Sequence, residues 1–97
     1  MPIATNRSTL YRMAMKRFGP ESQLLKLAEE ASELSTEVSR NLNGLSDEMK
    51  LASEMADVEI MIEQFRLNGL DTAIDFHKRQ KLMRLAQRLG VNYDPQQ

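Results

Sequence analysis

Four glycines punctuate this chain at nearly even intervals, and the stretches between them consist almost entirely of helix-forming residues. The breaks fall at Gly19-Pro20, Asn43-Gly44, Asn68-Gly69 and Gly90, all of them signals that end a helix or turn the chain. Leu, Met, Ala, Glu, Lys, Arg and Gln dominate the intervals, β-branched and aromatic residues are sparse, and no alternating strand pattern survives. The expectation is an all-α fold of four helical segments at 8–18, 20–42, 46–68 and 71–89, with an irregular tail at 91–97. No repeat, linker or low-complexity tract is apparent.

The first segment has Asn6 or Ser8 as its cap and Leu10, Met13, Ala14 and Phe18 as its apolar side. The second opens on Pro20 with Glu21 beside the positive end of the helix dipole, and carries a stripe of Leu24, Leu27, Ala28, Ala31, Leu34, Val38 and Leu42. Ser46 caps the third, whose stripe is Leu51, Met55, Val58, Ile62 and Phe65. Asp71 caps the fourth, with Ile74, Leu82, Leu85 and Leu89 as its apolar positions. The 42–46 connection is too short to cross a bundle, so segments two and three are expected to form an antiparallel helical hairpin. Leu25, Met49, Ile60 and Met61 lie outside the main stripes and predict self-association as a homodimer or homotetramer.

At 97 residues, 28% charged and 41% hydrophobic, the chain is read as one domain over 1–97 with its core at about 18–89. The net charge of -1 supplies no general field for a polyanion, so no nucleic-acid partner is expected. Cysteine is absent and His77 is the single histidine, which removes thiol chemistry, thiolate zinc sites and histidine metal clusters. Carboxylates remain as metal donors. No apolar run approaches the roughly 20 residues of a membrane span, and residues 1–18 lack the apolar core of a secretory signal. The expected location is the cytoplasm, that of the host if the protein is viral, with no membrane partner.

Two acidic motifs stand out, Glu29-Glu30-Ala31-Ser32-Glu33 and Glu54-Met55-Ala56-Asp57. At about 100° per residue, Glu30 and Glu33 lie roughly 100° and 160° from Ala31 and Ala31's stripe, on one flank of the second segment. Glu54 and Asp57 fall at the same offsets from Met55. An antiparallel pair is related by a local twofold axis, so equal offsets put all four acids on one side of the hairpin. Axial height gives an independent check. Positions 30 and 57 have the same sum as 33 and 54, and the turn this implies falls between Asn43 and Gly44, where the turn residues are. Glu30 should face Asp57 and Glu33 should face Glu54, to within about one helical turn of 5.4 Å. No basic residue lies among the four, so their mutual repulsion calls for a divalent cation. An all-oxygen donor set suits Mg²⁺, with Mn²⁺ as the other candidate. On the fourth segment Lys78, Lys81, Arg84 and Arg88 cover one arc; Lys78, Lys81 and Arg84 are the candidate phosphate contacts.

The spaced acids, Glu30-x-x-Glu33 and then Glu54-x-x-Asp57, resemble the all-α nucleoside triphosphate pyrophosphohydrolases of the MazG type. The similarity extends through 19–23, 27–34, 53–58 and the basic stretch Lys81-Leu82-Met83-Arg84-Leu85, over about 18–89. The resemblance implies a four-helix unit whose bundle is completed by oligomerisation. It also implies hydrolysis of nucleoside or deoxynucleoside triphosphates between the α and β phosphorus atoms, giving monophosphate and pyrophosphate. The family's metal ligands map onto Glu30, Glu33, Glu54 and Asp57, with Glu29 and Glu33 as the acids placed to act on the attacking water. The Asn-rich phosphate motif of some relatives is not evident after Lys78. Gln23 is a candidate base contact, and Tyr11, Phe18, Phe65, Phe76 and His77 are candidates for stacking or for the core. Three other readings stay open: a phosphoribosyl-ATP pyrophosphohydrolase, a non-catalytic helical adaptor and a nucleic-acid-binding bundle.

Overall fold

Every interval between the glycines is helical in the computed structural model, which describes residues 3–94. Helix α1 spans Arg7–Phe18, α2 Pro20–Leu42, α3 Glu48–Phe65 and α4 Asp71–Leu89, with a kinked turn at Arg66–Leu70 between the last two. Residues 91–94 are non-helical, as expected, and 95–97 of the expected tail lie outside the described residues. No helix among the described residues is long and apolar enough to cross a membrane.

Local chemistry sets the ends. The Asn6 carboxamide accepts from the Thr9 amide at 2.9 Å and caps α1. Asp47, not Ser46, caps α3 by accepting from the Lys50 amide at 2.9 Å; the Ser46 hydroxyl instead donates to Glu37. Asp71 is not a cap either, because its carboxylate is taken by Arg66 at 2.8 Å, and the same guanidinium holds Asp75 at 2.7 Å. Arg66 thereby fixes how α4 leaves α3, across Asn68 and Gly69, whose backbones are non-helical.

The hairpin turn closes by two backbone bonds, Leu45 N–H to Arg40 O at 2.8 Å and Gly44 N–H to Asn41 O at 3.1 Å. This pairing leaves Gly44 in the left-handed region at φ 71°, where a Cβ is disfavoured. Gly19 is more demanding. At φ 85° and ψ 154° it occupies a region that only glycine populates; the ψ keeps it out of the α region that a following proline disfavours and re-aims the chain from α1 into α2. Nothing lies within 4 Å of where its Cβ would be, so Gly19→Ala is opposed by the backbone alone. The expected loss is about 1–3 kcal/mol in chemical denaturation, with helical content unchanged before the transition.

Helices α2 and α3 pack as the expected hairpin, but on an arc that takes in only one edge of the apolar stripes, Leu27 and Leu34 on α2 and Leu51 and Val58 on α3. The seam is formed by Leu27, Glu30, Leu34 and Glu37 from α2 and by Leu51, Glu54, Val58 and Met61 from α3, all buried or half-buried. Beyond them the Gln64 amide donates to the Gln23 side-chain oxygen at 2.6 Å. Positions 23 and 64 share the sum of the two acid pairs, so one register runs the length of the hairpin. Leu24, Ala28, Ala31, Val38, Leu42, Met55 and Ile62, expected in the core, are exposed. They lie about 80–160° around from Glu30 or Glu54, in the same sense on both helices, and form an uncovered apolar side of the hairpin. The apolar side expected for α1 is likewise exposed at Leu10, Met13 and Phe18; α1 docks instead through Tyr11, whose hydroxyl donates to Glu63 of α3.

Helix α4 packs mainly against the turn that leads into it, and the molecule measures 54 × 38 × 25 Å. Its radius of gyration is 16.8 Å, where a compact chain of this length has about 12.5 Å. It exposes 8003 Å², against about 5,700 Å² for a compact monomer of 11.1 kDa. No side chain among the described residues is fully buried.

Candidate metal centre

The seam brings Glu30, Glu33, Glu54 and Asp57 together, with one carboxylate oxygen of each within 4.8 Å of all the others. The expected convergence is thus present in the fold of one chain. Glu30 and Glu54 are buried, 7% and 6% exposed, while Asp57 is half-buried and Glu33 exposed. The two glutamates sit between Leu27 and Leu34 on α2 and between Leu51 and Val58 on α3. Glu33 and Asp57 stand one helical turn away on the flank, Glu33 open to solvent and Asp57 partly so.

Lysines complete the arrangement, which corrects the expectation that the repulsion of the four acids, with no basic residue among them, goes uncompensated. Lys26 Nζ reaches Glu30 Oε1 at 3.0 Å, and Lys50 Nζ reaches Glu54 Oε1 at 3.0 Å. Both pairs have i, i+4 spacing, which was available in the sequence. So was a further signal. Residues 26–34 read Lys-Leu-Ala-Glu-Glu-Ala-Ser-Glu-Leu and residues 50–58 read Lys-Leu-Ala-Ser-Glu-Met-Ala-Asp-Val. The two stretches form a short internal repeat, Lys-Leu-Ala-x-Glu-x-x-acid, contrary to the expectation of none. Antiparallel packing turns this repeat into a local twofold arrangement, with one lysine, one buried glutamate and one open acid from each helix.

Electrostatics follow from this crowding. The charge of Glu30 is the main influence holding the Glu33 carboxyl above the usual range, with burial and the charges of Glu54 and Glu29 acting in the same direction. The hydrogen bond to Glu30 raises the Lys26 ammonium above its ordinary value, and the bond to Glu54 does the same for Lys50. In each buried glutamate the second oxygen, Oε2, has no hydrogen-bond partner. Leaving a buried carboxylate oxygen unpaired is costly, and a cation between the helices would supply the missing interaction.

The donor set fits a hard divalent cation. Mg²⁺ holds oxygens at about 2.1 Å, so opposite ligands are about 4.2 Å apart, and side-chain shifts of a few tenths of an ångström bring this cluster to that span. Protons compete for the same oxygens. Because the Glu33 carboxyl lies above the usual range, Mn²⁺ affinity should fall on acidification earlier than for an ordinary Glu near about pH 4.3. Without metal the sign reverses. A raised carboxyl favours the protonated folded state, so ionising Glu33 costs stability above its folded value and acidification through that value relieves the cost. Calorimetric Mn²⁺ titrations stepped from neutral to mildly acid pH test the first effect.

The other expected site residues are distributed differently. Glu29 is exposed beside the cluster and shares Lys26 at 3.6 Å. Gln23 is buried with its side-chain oxygen bonded to Gln64, so it lies in the hairpin seam; it also lines a cavity of about 470 Å³ with Phe18, Lys26, Glu29 and Met61. Lys78, Lys81 and Arg84 are exposed on α4, which is directed away by the Arg66 clamp and is not packed along the acid-bearing hairpin. Tyr11 and Phe65 are buried, Phe18 and Phe76 are exposed, and Phe76 meets His77 edge-on at 5.3 Å. Comparison with known protein families, curated proteins and solved structures returns no match.

Proposed function

We propose that the chain is a divalent-metal-dependent nucleoside triphosphate pyrophosphohydrolase of the MazG type. It cleaves ribo- or deoxyribonucleoside triphosphates between the α and β phosphorus atoms. The observation that carries this reading is the four-carboxylate cluster with an unpartnered oxygen on each of its two buried members. Glu30, Glu33, Glu54 and Asp57 would hold Mg²⁺ or Mn²⁺. When bound, such ions polarise a phosphoryl group, lower the pKa of water and offset charge on a pyrophosphate leaving group.

The chain's own residues divide the remaining tasks. Glu30 and Glu54 anchor the site from inside the seam, and Glu33 and Asp57 face the side from which substrate arrives. Glu29, exposed one residue before Glu30, accepts a hydrogen bond from the attacking water and orients it. Lys78, Lys81 and Arg84 draw in the outer phosphates, Lys as a point charge and Arg as a fork. Because α4 packs on its own turn, the basic face over the acids belongs to a second copy, brought there when the apolar side of the hairpin is covered in a homodimer or homotetramer. The large exposed area and extended shape support that assembly.

A pyrophosphate-release assay with Mg²⁺ or Mn²⁺ across the common ribo- and deoxyribonucleoside triphosphates, with phosphoribosyl-ATP included, tests the reading. Release from at least one triphosphate, lost with chelator, is expected. No release from any triphosphate with either metal overturns it, and release from phosphoribosyl-ATP alone reassigns the substrate. Lys81→Ala should raise KM about tenfold with kcat nearly unchanged, since it removes phosphate attraction without touching the reacting bond. An unchanged KM removes Lys81 from the site.

A further inference from the structure

Lys26 and Lys50 occupy equivalent places in the internal repeat, each one turn before a buried glutamate and each 3.0 Å from its Oε1. The oxygen they leave unpartnered is Oε2 in both cases, on side chains more than nine-tenths buried. The lysines therefore occupy half of each buried carboxylate and leave the other half for the cluster. Their stems begin on the exposed flank, and both side chains are about half exposed, 49% and 55%, so each has room to swing into solvent without disturbing the seam.

Four carboxylates and two ammonium groups leave two formal negative charges at the cluster. Glu29, which shares Lys26 at 3.6 Å, is exposed and adds only a screened charge; Glu37 is paired with Arg40 at 3.4 Å. One divalent cation neutralises the cluster. A second would leave it doubly positive between two buried carboxylates, which is unfavourable until an anion joins or the lysines withdraw.

Building on the metal-dependent reading above, we infer that Lys26 and Lys50 are tethered counter-cations that steady the metal-free hairpin and limit the free protein to one divalent ion per chain. The second ion enters with the phosphates of the substrate, whose charge takes over the role of the lysines' counter-ions. Lys26 and Lys50 are positioning residues in this scheme, acting through Glu30 and Glu54.

The test is a calorimetric titration of the chelator-stripped full chain with Mn²⁺ alone, comparing wild type with Lys26→Met/Lys50→Met, in which Met keeps the apolar stem. Wild type should bind one Mn²⁺ per chain. The double variant should bind two, the first about tenfold tighter or more. Melting followed by circular dichroism adds a readout independent of activity: the variant should melt below wild type in chelator and recover to wild type or above with saturating Mn²⁺. Should the double variant fail to fold in chelator, the single variants Lys26→Met and Lys50→Met should each show intermediate tightening. Two ions in wild type without nucleotide, or unchanged stoichiometry and affinity in the variants, would overturn the counter-cation role while leaving the metal site standing. No Mn²⁺ binding by any form would overturn the metal reading itself.

Discussion

Glu33→Gln and Asp57→Asn are each expected to reduce Mg²⁺-dependent pyrophosphate release on the order of a thousandfold, with little change in helical content. Both side chains stand on the flank of the hairpin, exposed or half-buried, and neither fills the seam. Their neutral amides keep shape and hydrogen-bonding capacity but lose the charge that attracts a cation. The effect should therefore appear in metal affinity and turnover and not in folding. Circular dichroism and a Mn²⁺ titration on the same preparations separate the two. Full activity in both variants, with Mg²⁺ saturating, would remove these carboxylates from the chemistry.

Glu30→Met/Glu54→Met should do the opposite to stability. These glutamates interrupt an otherwise apolar seam, between Leu27 and Leu34 on one helix and Leu51 and Val58 on the other, and each keeps an unpaired buried oxygen. Replacing a buried ion pair by apolar side chains of similar volume is often neutral or stabilising by about 1–4 kcal/mol; here only the glutamates are buried and the freed Lys26 and Lys50, half exposed, return to solvent, so the lower part of that range applies. For a domain of this size, the melting temperature in chelator should rise by about 4–8 °C per kcal/mol. Pyrophosphate release should disappear. A variant that melts below wild type in chelator would show that the Lys–Glu pairs stabilise the hairpin more than an apolar seam does. The contrast with Glu33 and Asp57 separates acids on the flank from acids whose burial itself carries a stability cost.

Much of the fold could be read from residue order. Gly19, Gly44 and Gly90 end helices because their backbones take conformations that L side chains disfavour, and that preference is local. The constant-sum register brings the four acids to matching levels, as their clustering and the Gln23–Gln64 bond at the same sum agree, because helical rise and the centre of a short turn are both legible in sequence. The Lys26 and Lys50 pairs were equally local, at i, i+4, and so was the repeat that contains them. Both lie in the turn before each buried glutamate, outside the space between the carboxylates.

What one-dimensional reading could not decide was which arc of each helix meets its partner. Helix α2 offers two: Leu24, Ala31 and Val38 on one side, and Leu27 and Leu34 with Glu30 and Glu37 on the other. Periodicity weighs side chains by polarity, so it centres the stripe on the first, takes in Leu27 and Leu34 only as its edge and leaves out Glu30 and Glu37. The folded hairpin uses the second and leaves the first exposed. Likewise the direction of α4 depends on Arg66 reaching Asp71 and Asp75 across a turn whose Asn68 and Gly69 depart from helical geometry, a contact invisible to helical spacing.

Residue order alone therefore determined the helices, their ends and the levels at which the four acids meet, because rise per residue and terminating conformations are properties of short segments. Only the tertiary structure decided that Glu30 and Glu54 are buried with an oxygen unpaired, that two lysines lean on them and that an apolar side remains uncovered. Those features depend on how each helix is rotated about its own axis, and that rotation is set by packing between segments distant in the chain.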